Sequence, residues 1–392
     1  MLALLCVEVA TVGKKQVAAV VFEGGNPVSP IERDMTSVRK AVALDNLEKV
    51  LAVPDIDPVI LSTNYRDLAE RARAKGVRIN QTPDDGSFHF GEHLKWVVDA
   101  YGLSRVIYFG GAALPLIRKE DFAKIAWQLG EMERVVIVNN AQSADLIAFT
   151  PTDILSQLPP VETDNFLGYM LREAGLSRIM IENSARINFD LDTPVDMVIM
   201  DQCRRLGPKT RQALDGLKLP SHRLKRAMEV LFRQSDPYPE VALIGRVGPA
   251  MMSVINANLP VRLRVFSEER GMKSLQREAR GEAISWLGFY LEAVGPVRFF
   301  SDLAQTADVA FIDTRVLFAH FDLNPSPADR YYSDLGRVDE IGDPFIRQFT
   351  AAANAAEIPV MLGGHSLVYG GLWALLEEYN MIKHGVPALP TS

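Results

Sequence analysis

Asn188-Phe189-Asp190-Leu191-Asp192-Thr193-Pro194-Val195-Asp196-Met197 is the stretch on which the reading of this chain turns. Phe189 and Leu191 alternate with Asp190 and Asp192, the period of a strand, so both carboxylates leave the backbone on one face. Thr193 reads as a helix N-cap, Pro194 as the first helical residue and Asp196 as the third-position acid of a capping box. A strand end that carries two acids and turns straight into a helix suits a divalent cation, because hard cations take carboxylate oxygens. The plain alternative is a capped helix after an ordinary strand, with the acids solvated.

Upstream, Val17–Phe22 is a continuous apolar run, the mark of a strand buried on both faces. It opens into Glu23-Gly24-Gly25, a turn whose amides can approach a phosphate or simply join strand to helix. Arg39 and Lys40 lie near the start of the helix that follows, where cations oppose the helix dipole and serve either an anionic ligand or the solvated surface. Strands at 58–62, 77–80, 105–109 and 134–138 then alternate with helices at 65–75, 92–101 and 119–129. Such alternation predicts a mostly parallel sheet covered on both faces, with ligands at the carboxyl ends of the strands. Those ends carry Gly24 and Gly25, Gly110 and Gly111, and Asp190 and Asp192.

Taken in order, the segments RVIYFGGAALPLIRKEDF, VVIVNNAQSADLIAFTP, DNFLGYMLREAGL and NFDLDTPVDM resemble the NTP-transferase family of nucleotide-diphospho-sugar transferases. The likeness is greatest to the phospholactate guanylyltransferases and the molybdenum-cofactor nucleotidyltransferase-like proteins, and covers residues 17–205. It implies a three-layer GT-A-like α/β domain, with magnesium held by acids at two motifs and a triphosphate at Gly24, Gly25, Lys40, Gly110 and Gly111. Asp190, Asp192, Thr193, Pro194 and Asp196 match the second acidic motif. The first keeps Leu114, Pro115 and Leu116 but has Ala112 and Ala113 where its acid belongs, which leaves Asp145 or Glu23 to replace it or weakens metal-dependent transfer. His89-Phe90-Gly91-Glu92-His93 spells a zinc-protease motif, but the glycines in and before it predict a loop entering a helix. In the resemblance this segment lies by the base, so Phe88, His89 or His93 is a candidate to stack on it.

The chain has 392 residues, 48% apolar and 23% charged, enough for two globular domains. A net charge of −7 argues against sequence-independent nucleic-acid binding. Cys6 and Cys203 are too few for a disulfide framework or a zinc ribbon, which suits a reducing cytoplasm. Residues 1–10 lack the basic start and cleavage site of a leader, and no run is long and apolar enough to span a membrane. The expected division is 1–207 for the first domain, 208–237 for a basic helical linker, and 238–392 for a second, Rossmann-like α/β domain.

In that second part, strands are expected at 241–244, 261–266, 297–300, 309–313 and 359–362, with helices at 249–258, 274–293, 341–356 and 365–379. Gly363-Gly364-His365-Ser366 is a strand-to-helix turn fit for an anion, and its likeness to a nucleophile elbow fails at Val368. With Asp313 it forms the second candidate site. The long connection at 318–340, rich in aromatic and charged residues, reads as a lid or as a loop packed on its own tyrosines. Two functions follow. One is a nucleotidyltransferase that moves a nucleoside monophosphate from an NTP to a phosphorylated small molecule, with Asp190 and Asp192 on magnesium. There the second domain supplies acceptor specificity, another activity or a dimer contact. The other is a catalytically degenerate nucleotide-binding or regulatory protein whose ligand site lies in the second domain.

Overall fold

A computed structural model describes residues 16–83, 88–273 and 275–385. Cys6, residues 1–10, Gly86 and the first residue of the 274–293 segment lie outside the described residues. The protein is α/β, built on two sheets. The first contains β1 (Val17–Phe22), β2 (Ile56–Thr63), β3 (Arg78–Gln81), β4 (Val106–Gly110), β5 (Val135–Val138), β6 (Leu146–Thr150) and β7 (Ser177–Met180), in the order β3-β2-β1-β4-β6-β5-β7. Only β6 runs antiparallel to its neighbours. Successive residues of β1 feed opposite cores, Val17, Ala19 and Val21 one and Ala18, Val20 and Phe22 the other, so the sheet is covered on both faces. Phe22 pairs with Gly110, which sets the Glu23 and Gly111 turns side by side at the carboxyl edge.

The second sheet is wholly parallel: β8 (Glu240–Gly245), β9 (Arg262–Ser267), β10 (Val309–Asp313) and β11 (Val360–Gly363), in the order β11-β10-β8-β9. Asp313 pairs with Gly363, so these residues and the Gly245 turn share one edge. The helix Pro30–Leu51 couples the two sheets. Ser29 and Glu32 cap it reciprocally, the Ser29 amide donating to Glu32 at 2.8 Å. Leu44, Leu47 and Val50 pack on the first sheet, whereas Ile31, Met35, Val38 and Val42 join a core that continues into the second.

Residues 208–237 are no solvated strap. The helix Pro208–Asp215 is tied to the long helix through Asp45, whose carboxylate accepts from the Thr210 amide at 2.8 Å and its hydroxyl at 2.7 Å. The helix His222–Leu231 buries Leu224, Ala227 and Leu231 against the second sheet, a stripe at helical spacing.

Four expected elements are corrected. Residues 297–300 are helical, within Trp286–Ala304: Gly295 takes φ 74° and Pro296 restarts the helix, a position proline tolerates. The helix expected from 274 begins only at Trp286. The 318–340 connection contains the helix Pro327–Asp334 and a 3-10 turn at Val338–Glu340. The final helix is Gly370–Lys383, after a 3-10 turn at His365–Val368. Among the described residues no helix is long and apolar enough to cross a membrane.

Candidate active site

Residues 189–193 form a connection between two helices rather than the end of the expected strand. Asn188 ends a short helix, Ala185–Asn188, and Pro194 begins another, Pro194–Gln202, leaving too little chain between them for a ladder. Asp190 makes a single antiparallel bridge, to Ala113. The side-chain alternation survives: Phe189 and Leu191 are fully buried, while Asp190 and Asp192 line a cleft. The capping box forms as expected, with the Thr193 amide donating to Asp196 at 2.7 Å. Asp196 also accepts from the Asp192 amide at 3.0 Å, and burial followed by the charge of Asp192 pushes its carboxyl up to about 8. The acid alternation and the cap are therefore one unit, which holds Asp192 at the mouth of the turn.

The second half of the chain closes directly on this turn. Ser366 donates its hydroxyl to the Asp190 carbonyl at 3.0 Å. Glycines make the approach possible. A Cβ on Gly363 would lie 2.7 Å from Val195 Cγ1, one on Gly364 2.9 Å from Thr193 Cγ2, and one on Gly370 2.6 Å from Phe189 Cα. Further on, Glu377 accepts from the Ala185 amide at 3.0 Å, and Glu378 from Arg204 Nε at 3.1 Å. The two candidate sites read from the sequence thus face a single cavity of about 340 Å³.

Its walls differ in charge. The first half of the chain contributes Asp145, Asp164, Asp190 and Asp192, together with Arg39. Burial, then the charges of Asp192 and Asp145, hold the Asp190 carboxyl well above the usual range, and Arg39 opposes them. Burial, then Asp192 and Asp164, push Asp145 up to about 8. Carboxylates that raise one another in this way favour a cation among them. Arg39 is forked onto buried Glu23, at 3.0 and 3.1 Å, and Glu23 is the first cause of its raised pKa. The second half contributes Arg246, Arg270, Lys273, Arg315 and Arg330. Asp313 holds Arg246 from behind at 2.6 and 3.1 Å, and Asp334 holds Arg315 at 2.9 and 2.6 Å.

The other expected residues divide. Gly110 lines the cleft. Gly111 packs on Glu23 instead, and its amide donates to the Phe22 carbonyl at 2.8 Å. The Gly25 amide goes to Asn64 at 3.1 Å, and the same Asn64 would meet a Cβ on Gly24. Lys40 pairs with Asp67 at 2.8 Å and lies over the Tyr65 ring, in a separate shallow groove with Gly25. Phe88 and His93 do come together, with Phe22 and Trp96, and Asn80 lies 2.9 Å from His93 Nε2. His89 directly precedes the helix Phe90–Tyr101, so the two histidines do not share a helical face.

In the second half Asp313 is occupied by Arg246, and His365 stacks on Tyr369. No hydrogen bond joins Ser366 to His365 among the described residues, so the elbow has no nucleophile–base pair. Sequence reading missed Asp164, Arg315 and Tyr369. Asp164 opens a segment of the family resemblance and Arg315 lies two residues beyond the strand-end Asp313, whereas Tyr369 carried no signal.

Among the described residues no three or more His, Cys, Asp or Glu side chains gather into a metal-ligand set. Asp190 and Asp192, both on the cleft, could supply one or two carboxylates to a magnesium ion delivered on phosphates.

No family model matches the chain, and no curated protein matches it in sequence. Solved structures do. A CMP:2-keto-3-deoxy-manno-octonic acid synthetase complexed with CTP is 17% identical, covering 43% of this chain and 90% of its own, with a TM-score of 0.32. A nucleotidyl transferase from Methanothermobacter is 18% identical over 44% and 90%, with a TM-score of 0.35. A cytidylyltransferase from Leptospira borgpetersenii is 15% identical over 48% and 86%, with a TM-score of 0.37. At these scores the likenesses carry no weight for function.

Proposed function

We propose that the chain is a nucleotidyltransferase-like enzyme that moves a nucleoside monophosphate from an NTP to a phosphorylated small molecule. The observation that carries this reading is the cleft itself: four aspartates on one wall, arginines fixed by buried carboxylates on the other. A metal–triphosphate is the kind of ligand that satisfies both, since its cation answers the acids and its phosphates answer the arginines. Asp190 and Asp192 would hold the magnesium, which when bound neutralises charge on the triphosphate. Arg39, locked by Glu23, presents a fixed cation beside those acids and pays no reorganisation cost when phosphate arrives. An acceptor phosphate oxygen would bond to the α-phosphorus as the bond to pyrophosphate breaks, so the chain's task is positioning and charge stabilisation.

Ala112 and Ala113, both buried in the first motif, favour a second reading: a protein that binds the nucleotide without turning it over. Calorimetric titration with GTP, CTP and ATP, each with and without magnesium, tests binding, and pyrophosphate release separates the two readings. The enzyme reading expects magnesium-dependent binding of one nucleotide and pyrophosphate release once a phosphorylated acceptor is supplied. Absence of any NTP binding removes both readings.

A further inference from the structure

The cations of the second wall are not equivalent. Arg246 and Arg315 are paired with Asp313 and Asp334, which fix them in place. Arg270 and Arg330 form no side-chain hydrogen bond or ion pair among the described residues, although both line the cleft. Arg330 Nε is also buried without a partner, and a guanidinium N–H taken out of water is costly unless something accepts from it. The neighbouring residue, Tyr331, lines the same cleft, as does Tyr369. The helix Pro327–Asp334 packs on Pro30–Leu51, the helix that carries Arg39, so Arg330 enters the cleft where the two halves of the chain meet.

We propose that Arg330 and Arg270 form a phosphate-ester subsite on the second wall, which takes the dianionic phosphate group of the acceptor opposite Asp190 and Asp192. That the occupant is the acceptor rests on the transferase reading above; that the subsite binds a phosphate dianion does not. Two arginines without an ion-pair partner among the described residues supply the forked donors that suit phosphate oxygens. The phenolic hydroxyls of Tyr331 and Tyr369 can donate as well. Because these residues come from the half of the chain outside the nucleotidyltransferase motifs, the second sheet would set which phosphorylated compound is used.

The test titrates inorganic phosphate into the full chain at constant ionic strength, alone and with saturating NTP and magnesium. Phosphate should bind in both conditions. Arg330→Gln should weaken that binding at least tenfold and Arg270→Gln several-fold, with NTP affinity changed less than twofold. Arg330→Lys, which keeps the charge and loses the fork, should fall between, and it serves as the test variant if the glutamine protein melts early. Phosphate binding indifferent to both arginines overturns the subsite, and so does displacement of phosphate by the NTP. If the chain binds no NTP but binds phosphate through Arg330, the subsite stands and the transferase reading falls.

Discussion

The Ser366 hydroxyl donates to the main-chain carbonyl of Asp190 at 3.0 Å, across 176 positions of sequence. This bond welds the turn after β11 to the acidic turn of the first half, and it explains why Ser366 is buried rather than poised in the open. Ser366→Ala should therefore lower stability by about 1–2 kcal/mol, the cost of an acceptor left without its donor. Any phosphoryl-transfer activity should persist in the variant, because the serine positions and does not attack. Urea unfolding checks the first expectation and pyrophosphate release the second.

Gly370 marks the tightest approach of the two halves. Its hydrogen faces the Asn188 carbonyl and Phe189 Cα, with no room for a methyl group. Gly370→Ala should cost about 1–3 kcal/mol through overpacking, and it should displace the Asp190 bridge as well. Gly216→Ala is the control: its Cβ would meet only ordinary contacts, 3.5 Å or more away, so its effect should stay within about 0.5 kcal/mol. Paired thermal melts compare them.

His365 supplies a pH signature. Burial, then the charge of Arg246, lowers it to about 4 from an ordinary 6.5, although Asp313 and Asp192 pull the other way. The unfolded chain takes up this proton first as pH falls, so the folded state loses stability between roughly pH 6.5 and 4 and is unaffected above that window. The loss is on the order of 3–4 kcal/mol when complete. Unfolding curves for the wild type minus those for His365→Gln should show this acid limb. Parallel curves with no difference across the window would contradict the assignment.

Ala113 sits directly opposite Asp190 in the bridge, at a position where the family resemblance implies an acid. Ala113→Asp adds a third like charge to the turn, so it should lower the melting temperature in the absence of a divalent cation. In magnesium it should tighten NTP binding about tenfold, or ~1.4 kcal/mol. Calorimetry with and without the metal reads both effects. Tighter binding without magnesium would contradict the role given to the acids.

Much of this was legible locally. The alternation of Phe189 and Leu191 with the two aspartates predicted their directions, although helices on both sides left no room for a strand. Continuous apolar runs marked β1 and β4, where every surrounding layer is apolar. β7 has a half-exposed edge pattern with no period to detect, and β6 reverses direction inside a motif whose likeness was noted before its geometry. Pro296 reads locally as a break, yet it restarts a helix because Gly295 absorbs the turn. The largest omission was the meeting of 363–366 with 190–193. That contact depends on Gly363, Gly364 and Gly370 leaving room for distant side chains and backbone, and spacing within either segment does not encode it.

The proposed function requires a metal–triphosphate between the acid turn and the arginines of the second half. A crystal of the full chain grown with manganese and a non-hydrolysable analogue of the best-binding NTP tests it most directly. An anomalous manganese peak is expected against Asp190 and Asp192, with the phosphates extending toward Arg39. A nucleotide seated instead in the groove of Gly25, Lys40 and Tyr65, or manganese bound away from both aspartates, would contradict it.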